Sequence, residues 1–253
     1  MTSPIVTFSV RHYDNGKSYQ ITDRIIKETS VAILVNSQPV VKIACTSIHV
    51  EELALGFLKT EGIISSITDV EEVKITESPL AVAVITNLFD TLEDAAISKM
   101  SSGAEKRNHT KVMQPVDSDS SIPAQTILSL MEKLLTSSIL HETTRGTHCS
   151  GIAEQGNFIA LREDIGRHNT IDMLIGYSLM NKGSSRDQAI VTTGRISSEI
   201  VSKIWCHGAP IIISHSAPTS KAIHLAQHAG ITLIGYVRGD QMKIYTHEKR
   251  VIF

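Results

Sequence analysis

Apolar and polar residues alternate in short runs through the first third of the chain. Ile5–Val10 alternates residue by residue. Val31–Val35 and Val40–Ala44 flank the turn-forming Asn36-Ser-Gln-Pro39, which predicts a hairpin. The period then changes. Val50, Leu53, Ala54, Phe57 and Leu58 fall on one helical face, with Glu51 and Glu52 in the first turn and Gly62 as a stop. Val70–Ile75 and Leu80–Thr86 return to strand patterning. Met100–Pro123 has few large apolar residues and reads as a long exposed loop. Pro123 suits the first position of a second helix, whose stripe is Ile127, Leu128, Met131, Leu134 and Leu135.

From about Gly151 the order repeats. Strands over Phe158–Leu161, Ala189–Thr192, Pro210–Ile213 and Ile231–Ile234 each lead into a polar stretch, and three of these stretches run into helices. Met242–Thr246 predicts a last edge strand. This alternation argues for an α/β protein with a largely parallel sheet, whose ligand sites lie outside the carboxyl ends of the strands.

Composition bounds the reading without deciding it. The 253 residues suffice for one large α/β domain, or a domain and a smaller lobe; the division expected is a β-rich lobe over residues 1–122 and an α/β domain over 123–253. A net charge of −2 excludes a general polyanion binder, so nucleic acid is not an expected partner. Three cysteines, odd in number and far apart, argue against a disulfide framework. The first residues lack a secretion signal and no apolar run is long enough for a bilayer, so no membrane association and a cytoplasmic location are expected.

The polar stretches hold Arg162, Arg167, His168, Arg195, His215 and Arg238, together with Glu163, Asp164, Asn169, Thr193, Ser197, Ser198, Ser216 and Asp240. Helix N-termini and arginines suit phosphate. A carboxylate can take the paired N–H groups of a guanine edge. Any one of these residues could be only a helix cap or an internal ion pair. Jointly they predict a site for a nucleotide or nucleotide-bearing cofactor.

Other motifs carry less. His49-Val-Glu51 matches half of a zinc deaminase signature, but no Pro-Cys-x-x-Cys follows. His141 and His148 lack a full ligand set, so no metal site is expected. There is no dinucleotide-binding glycine fingerprint, phosphate loop or nucleophile elbow. Cys149 lies beside His148 and near Arg145, which would favour a thiolate; a small buried thiol is the plainer reading. Cys45 and Cys206 read as core.

Six stretches, in order, resemble the formate dehydrogenase accessory proteins, the FdhD/NarQ sulfur carriers. They are Glu51-Glu-Leu-Ala-Leu-Gly-Phe-Leu-Lys-Thr-Glu-Gly-Ile-Ile64, Arg145-Gly-Thr-His148, Arg162-Glu-Asp-Ile-Gly-Arg-His-Asn169, Thr193-Gly-Arg-Ile-Ser-Ser-Glu199, Ser214-His-Ser-Ala-Pro-Thr-Ser220 and Gly235-Tyr-Val-Arg-Gly-Asp240. The resemblance implies a three-layer α/β/α fold like that of the cytidine deaminases, with a mixed sheet and no zinc, and a homodimer. It implies that sulfur passes from a cysteine desulfurase to a molybdenum bis-guanine-dinucleotide cofactor before that cofactor enters formate dehydrogenase. It places cofactor binding at Tyr236, Val237, Arg238, Gly239, Asp240 and Gln241. His148, Asp164, Arg167, His168, Asn169, Arg195, Ser197, His215 and Ser216 are further candidates. The chain departs from the family at the loop that carries a Cys-x-x-Cys. Aligned on Ser101-Ser102, the cysteine positions fall on Gly103 and Lys106. Three readings stay open: cofactor handling without a persulfide, transfer through Cys149, or a guanine-nucleotide module that has lost sulfur transfer.

Overall fold

Strand patterning at the N-terminus resolves into two separate sheets. The computed structural model describes residues 3–88, 114–181 and 185–253. Strands β1 (Ile5–Asp14) and β2 (Lys17–Ile26) form an antiparallel ribbon turned by Asn15 and Gly16, so the alternation that begins at Ile5 runs further than expected. Strands β3 (Thr29–Val35) and β4 (Gln38–Cys45) make the predicted hairpin around Asn36 and Ser37. Helix α1 (Val50–Thr60) follows, then β5 (Val70–Glu77) and β6 (Leu80–Thr86), giving a four-stranded sheet of order β4-β3-β6-β5. The helical stripe of α1 fills its core with Val31, Ile33, Val82 and Val84.

The second half carries the larger sheet. Its elements are β7 (Ile122–Pro123), α2 (Ala124–Thr136), α3 (Ile139–Thr144), β8 (His148–Glu154), β9 (Asn157–Asp164), α4 (Arg167–Asn181), β10 (Gln188–Thr192), α5 (Ser198–His207), β11 (Ile211–Ser214), α6 (Ser220–His228), β12 (Thr232–Arg238), β13 (Gln241–Thr246) and β14 (Val251–Ile252). The sheet order is β13-β12-β11-β10-β8-β9. Helix α2 packs its Ile127, Leu130, Met131 and Leu134 on one face. Helices α4, α5 and α6 cover the other, around Ile190, Ile212 and Leu233.

This sheet is mixed rather than largely parallel. Only β10, β11 and β12 run parallel; β8, β9 and β13 are antiparallel to their neighbours. The periodic reading missed β8 because its inner residues, Cys149, Ser150, Gly151 and Ala153, are small and buried without alternation. The turn at Gln155 and Gly156, both at positive φ (49° and 76°), has the handedness that closes a two-residue hairpin.

Two further corrections bear on the site. The segment 162–169 is not one loop: Arg162–Asp164 finish β9 and Arg167–Asn169 open α4. Nor is the second half of the predicted exposed loop free. Val116 N–H donates to Ala229 O at 2.8 Å, Ser118 Oγ to Arg186 O at 2.8 Å, and Trp205 Nε1 to Gln114 O at 2.9 Å. Pro123 caps α2 in extended geometry rather than opening it. Residues 101–106, where the family's cysteines would align, lie outside the described residues.

Helices α1 and α4 join the two sheets through glycines. A Cβ on Gly176 would sit 1.9 Å from Glu52 O, and one on Gly56 1.7 Å from Asp172 O. Only bare backbone lets them approach so closely. Beneath this contact Lys203 Nζ donates to both Asp172 oxygens (2.7 and 2.8 Å) and to Thr60 Oγ1 (2.9 Å), all buried.

Candidate functional site

Every polar stretch singled out by pattern emerges at one edge of the large sheet. The loops after β10, β11 and β12 leave there because those strands are parallel. Antiparallel pairing of β8 sets Ser150 against Thr192, so His148 reaches the same edge, with Asp164 paired opposite it. The candidates divide into two groups once their hydrogen bonds are followed.

The first group is spent on the fold. Asp164 is fully buried (0% exposed). Its Oδ2 accepts from Thr46 N (2.8 Å) and Thr46 Oγ1 (2.9 Å); its Oδ1 accepts from Gly166 N (3.0 Å) and Asn169 Nδ2 (2.6 Å). Asn169 also donates to Ala44 O at 2.7 Å. The pair therefore clamps β4 to the start of α4 and has no free edge to offer a guanine. Arg162 likewise makes a two-pronged pair with Glu52 of α1, with Nη2 2.6 Å from Oε1. Ser197 caps α5, accepting from Ile200 N. Val237 is buried in the core under α2, so only its backbone is at the rim.

The second group faces outward. Arg167, on the first turn of α4, has a buried Nε without a hydrogen-bond partner among the described residues. Arg195 is exposed in the β10–α5 loop. His148 lies between them: its Nδ1 is 3.5 Å from Thr193 Oγ1, and burial, then the charges of Arg167, His141, Arg195 and His168, hold its pKa below the ordinary histidine value. It is therefore neutral at pH 7. His168 Nε2 is 3.2 Å from Glu199 Oε2, an ion-pair distance with poor alignment for a hydrogen bond.

The β12–β13 hairpin completes the rim. A bulge between Gly235 and Arg238 and the left-handed Tyr236 (φ 55°) turn the tyrosine outward. Arg238 and Lys243 lie over its ring, at 5.6 and 4.7 Å from the centroid. Arg238 Nε reaches His215 O at 3.3 Å, and burial followed by Arg238 lowers the His215 pKa. Ser216 Oγ donates to Thr193 O (2.9 Å) and Ser216 O accepts from Tyr236 N (3.2 Å), which ties the three loops together. Gly239, at φ 52°, and exposed Asp240 make the turn, with exposed Gln241 after it. Lys243 escaped the sequence reading; the signal was its place on the partner strand of Tyr236.

Cys149 belongs to neither group. Its backbone is tied to the site, N–H to Thr193 Oγ1 at 3.1 Å, but its side chain turns into the core below α2. It is 1% exposed, and burial, only partly offset by a hydrogen bond with Ser138, pushes the thiol up to about 12. His148, its neighbour in the sequence, points to the other face of β8 by strand alternation, and no cation is among the groups that shift the thiol. Cys45 is buried too, its thiol pushed up to about 11 by burial. Among the described residues no three His, Cys, Asp or Glu side chains converge as metal ligands, and no helix is long and apolar enough to cross a membrane.

A family model described as the FdhD/NarQ family matches residues 26–252. The chain belongs to that family. It is similar to the sulfur carrier protein FdhD of Bacillus subtilis strain 168, 35% identical over 250 residues that cover 96% of this chain and 95% of that one. The sulfur carrier protein FdhD of Staphylococcus aureus MRSA252 is 32% identical over 248 residues, covering 95% and 94%. A solved structure titled as a candidate formate dehydrogenase accessory protein from Desulfotalea psychrophila superposes with a TM-score of 0.82 over 98% of this chain and 99% of that one. At 24% identity it shows a shared fold. Within this FdhD/NarQ chain, the family-like stretches after β10, β11 and β12 meet at the rim, whereas Glu51–Ile64 is consumed in the α1–α4 contact.

Proposed function

We propose that this protein is a formate dehydrogenase accessory factor that holds a molybdenum bis-guanine-dinucleotide cofactor as cargo at the rim of β8, β10, β11 and β12. The observation that carries the reading is the set of cations at converging loops: Arg167, with a buried Nε that has no partner among the described residues, Arg195 and Arg238. An orphaned buried guanidinium nitrogen is costly unless a ligand supplies its acceptor. Two diphosphate-linked guanosines offer acceptors of that kind. Tyr236 presents a ring on which a base can stack, and Asp240, unlike Asp164, is free to accept from a guanine edge. The same rim supports reading the helix-covered mixed sheet as cytidine deaminase-like, with a nucleotide where that fold binds one.

Family membership supports a place in cofactor sulfuration in the cytoplasm, between a cysteine desulfurase and formate dehydrogenase. Aligned on Ser101-Ser102, the family's two cysteine positions fall on Gly103 and Lys106, neither of which can bear sulfur. Cys149 is a buried, protonated thiol and takes no part in this reading. The chain acts by binding and presenting the cofactor.

Titration calorimetry with GDP tests the rim. Binding that weakens when Arg167 or Arg238 is replaced by Ala is the expected result; no heat at millimolar GDP would overturn the assignment. Deleting the gene and assaying formate dehydrogenase tests the role. Loss of activity, restored by Cys149→Ser, is expected. Unchanged activity in the deletion strain would instead favour a guanine-nucleotide module outside formate metabolism.

A further inference from the structure

The edge of the large sheet opposite the rim also holds a cavity. Its volume is about 490 Å³, and it sits at the amino ends of β10 and β11, beside the β8–β9 turn. Ligand pockets span roughly 300–1,000 Å³. The floor is aliphatic. Ala153, Ala189 and Ile211 lie side by side in register on β8, β10 and β11, and Leu130 of α2 joins them; none is more than 5% exposed. The two alanines leave room that Val191 and Ile213, two residues further along the same strands, fill in the core. One wall is Ser120–Ser121, and it is fixed. Ser118 Oγ donates to Arg186 O at 2.8 Å and accepts from Ser120 N at 3.0 Å. Arg250 Nε donates to Ser118 O at 3.3 Å, and β7, directly after this wall, pairs with β14. The space is therefore preformed.

Charge decides what fits it. Half-buried Glu154 and exposed Asp187 line the open end, and among the described residues neither has an ion pair or a side-chain hydrogen bond. No lysine, arginine or histidine is among the lining residues. Helix α2 starts beside the cavity, after Pro123, with no side-chain cap and no acid in its first turn, so its dipole adds about half a positive charge. Two carboxylates outweigh that. The hydroxyls of Ser120, Ser121 and Thr126 can accept further N–H donors. An aliphatic floor holds water poorly, and burying an ammonium is costly. Both effects favour one orientation: an apolar body on the floor and a protonated amine at the open end, hydrated and against the carboxylates. We propose that this cavity is a second ligand site, for an organic cation with an aliphatic body and a protonated amine. The site does not depend on the cofactor reading. It shares no residue with the rim and lies at the other end of the same strands.

Three probes with one body and different heads test it: n-hexylamine, protonated at neutral pH, 1-hexanol and hexanoate. Each is titrated into the full chain, labelled with nitrogen-15, and followed by amide shifts. Hexylammonium should bind with a roughly millimolar dissociation constant, as expected of so small a ligand. Its shifts should fall at Gln155, Ala189 and Ile211 and not at Gly194 or Gly239. Hexanol should bind at least about threefold more weakly, the worth of exposed ion pairs, and hexanoate more weakly still. Ala189→Leu fills the floor and should abolish binding of all three. Should that variant misfold, Asp187→Asn, at an exposed position, replaces it: hexylammonium weakens about two- to threefold and hexanol is unchanged. No shifts at the cavity at about 10 mM hexylammonium, well above the expected constant, would overturn the proposal. So would hexanol or hexanoate binding as tightly as the amine, or a folded Ala189→Leu or Asp187→Asn protein that binds the amine at full strength. None of these outcomes touches the GDP titration, so the rim assignment stands or falls separately.

Discussion

Asp164 and Arg167 sit three residues apart in one motif, at one edge of one sheet, and their circumstances are opposite. Asp164 receives four hydrogen bonds from Thr46, Gly166 and Asn169 and sees no solvent. Arg167 keeps a buried Nε for which the described residues supply no acceptor. Both are charged residues at the carboxyl end of a strand, where sheet proteins of this kind bind ligands. The difference shows that position and charge do not make a binding residue. What matters is whether the chain itself satisfies the group. The clamp around Asp164 converts charge into stability, and the rim around Arg167 holds it for something else.

Breaking the clamp should give the largest effect. Asp164→Ala leaves Thr46 N–H, Gly166 N–H and the Asn169 amide without acceptors inside the protein. A loss of about 4 kcal/mol is expected from several charge-assisted bonds. For a chain of this size that lowers Tm by about 10 °C, readable by calorimetry. A loss under about 1 kcal/mol would show that the clamp relaxes without cost and would remove the contrast with the rim.

A second satisfied group, at the far end of the sheet, tests the same idea through pH. His207 is buried, pairs with Gln188 Oε1 at 3.1 Å, and is pushed down to about 4 by burial and then by Lys59. The unfolded chain takes up its proton near pH 6.5 and the folded chain only near 4. Between those values the unfolded state binds more protons. The stability His207 leaves intact above pH 6.5 is therefore lost as pH falls toward 4, by roughly 3 kcal/mol at most. Denaturant melts from pH 7 to pH 4 should show that slope, and His207→Gln should flatten it.

Much of this could be read from the sequence, and the failures have one cause. The stripes of α1 and α2 and the strand–helix rhythm after Gly151 are local patterns, and they became the elements they predict. Strand β8 was invisible because Cys149, Ser150, Gly151 and Ala153 are small residues buried on both faces, with no period to detect. The roles of Asp164 and Arg162 were invisible because their partners, Thr46 and Glu52, lie more than a hundred residues away. Cys149 is beside His148 in sequence, yet strand alternation puts its thiol on the opposite face from the imidazole. The rim was legible as a set of loops; which members were already taken was not.

Removing rim cations should move binding and leave folding alone. Arg238→Ala should weaken GDP about tenfold, the worth of one charge-assisted contact to phosphate. Arg167→Ala should cost more affinity, because the buried Nε gains its acceptor only from the ligand. Both should change unfolding stability by less than about 0.5 kcal/mol, in contrast to Asp164→Ala. Paired calorimetric titrations and melts on the three variants check this directly. An arginine variant that melts like Asp164→Ala would place that residue with the clamp.

The smallest effect is the most specific to the rim. His148 is held neutral by partial burial and by Arg167, His141, Arg195 and His168. A bound diphosphate brings negative charge into that cationic setting and raises the His148 pKa back toward its ordinary value. Binding then takes up a fraction of a proton, and affinity rises a few-fold as pH falls from about 7.5 to 6.5. The nucleotide's own phosphate ionisation, near pH 6, is present with or without the imidazole. The His148→Gln variant separates the two contributions. Titrations in buffers of different ionisation enthalpy should show proton uptake in the wild type and less of it in the variant. Equal uptake in both would place the diphosphate away from His148, toward Arg238 and the β12–β13 hairpin.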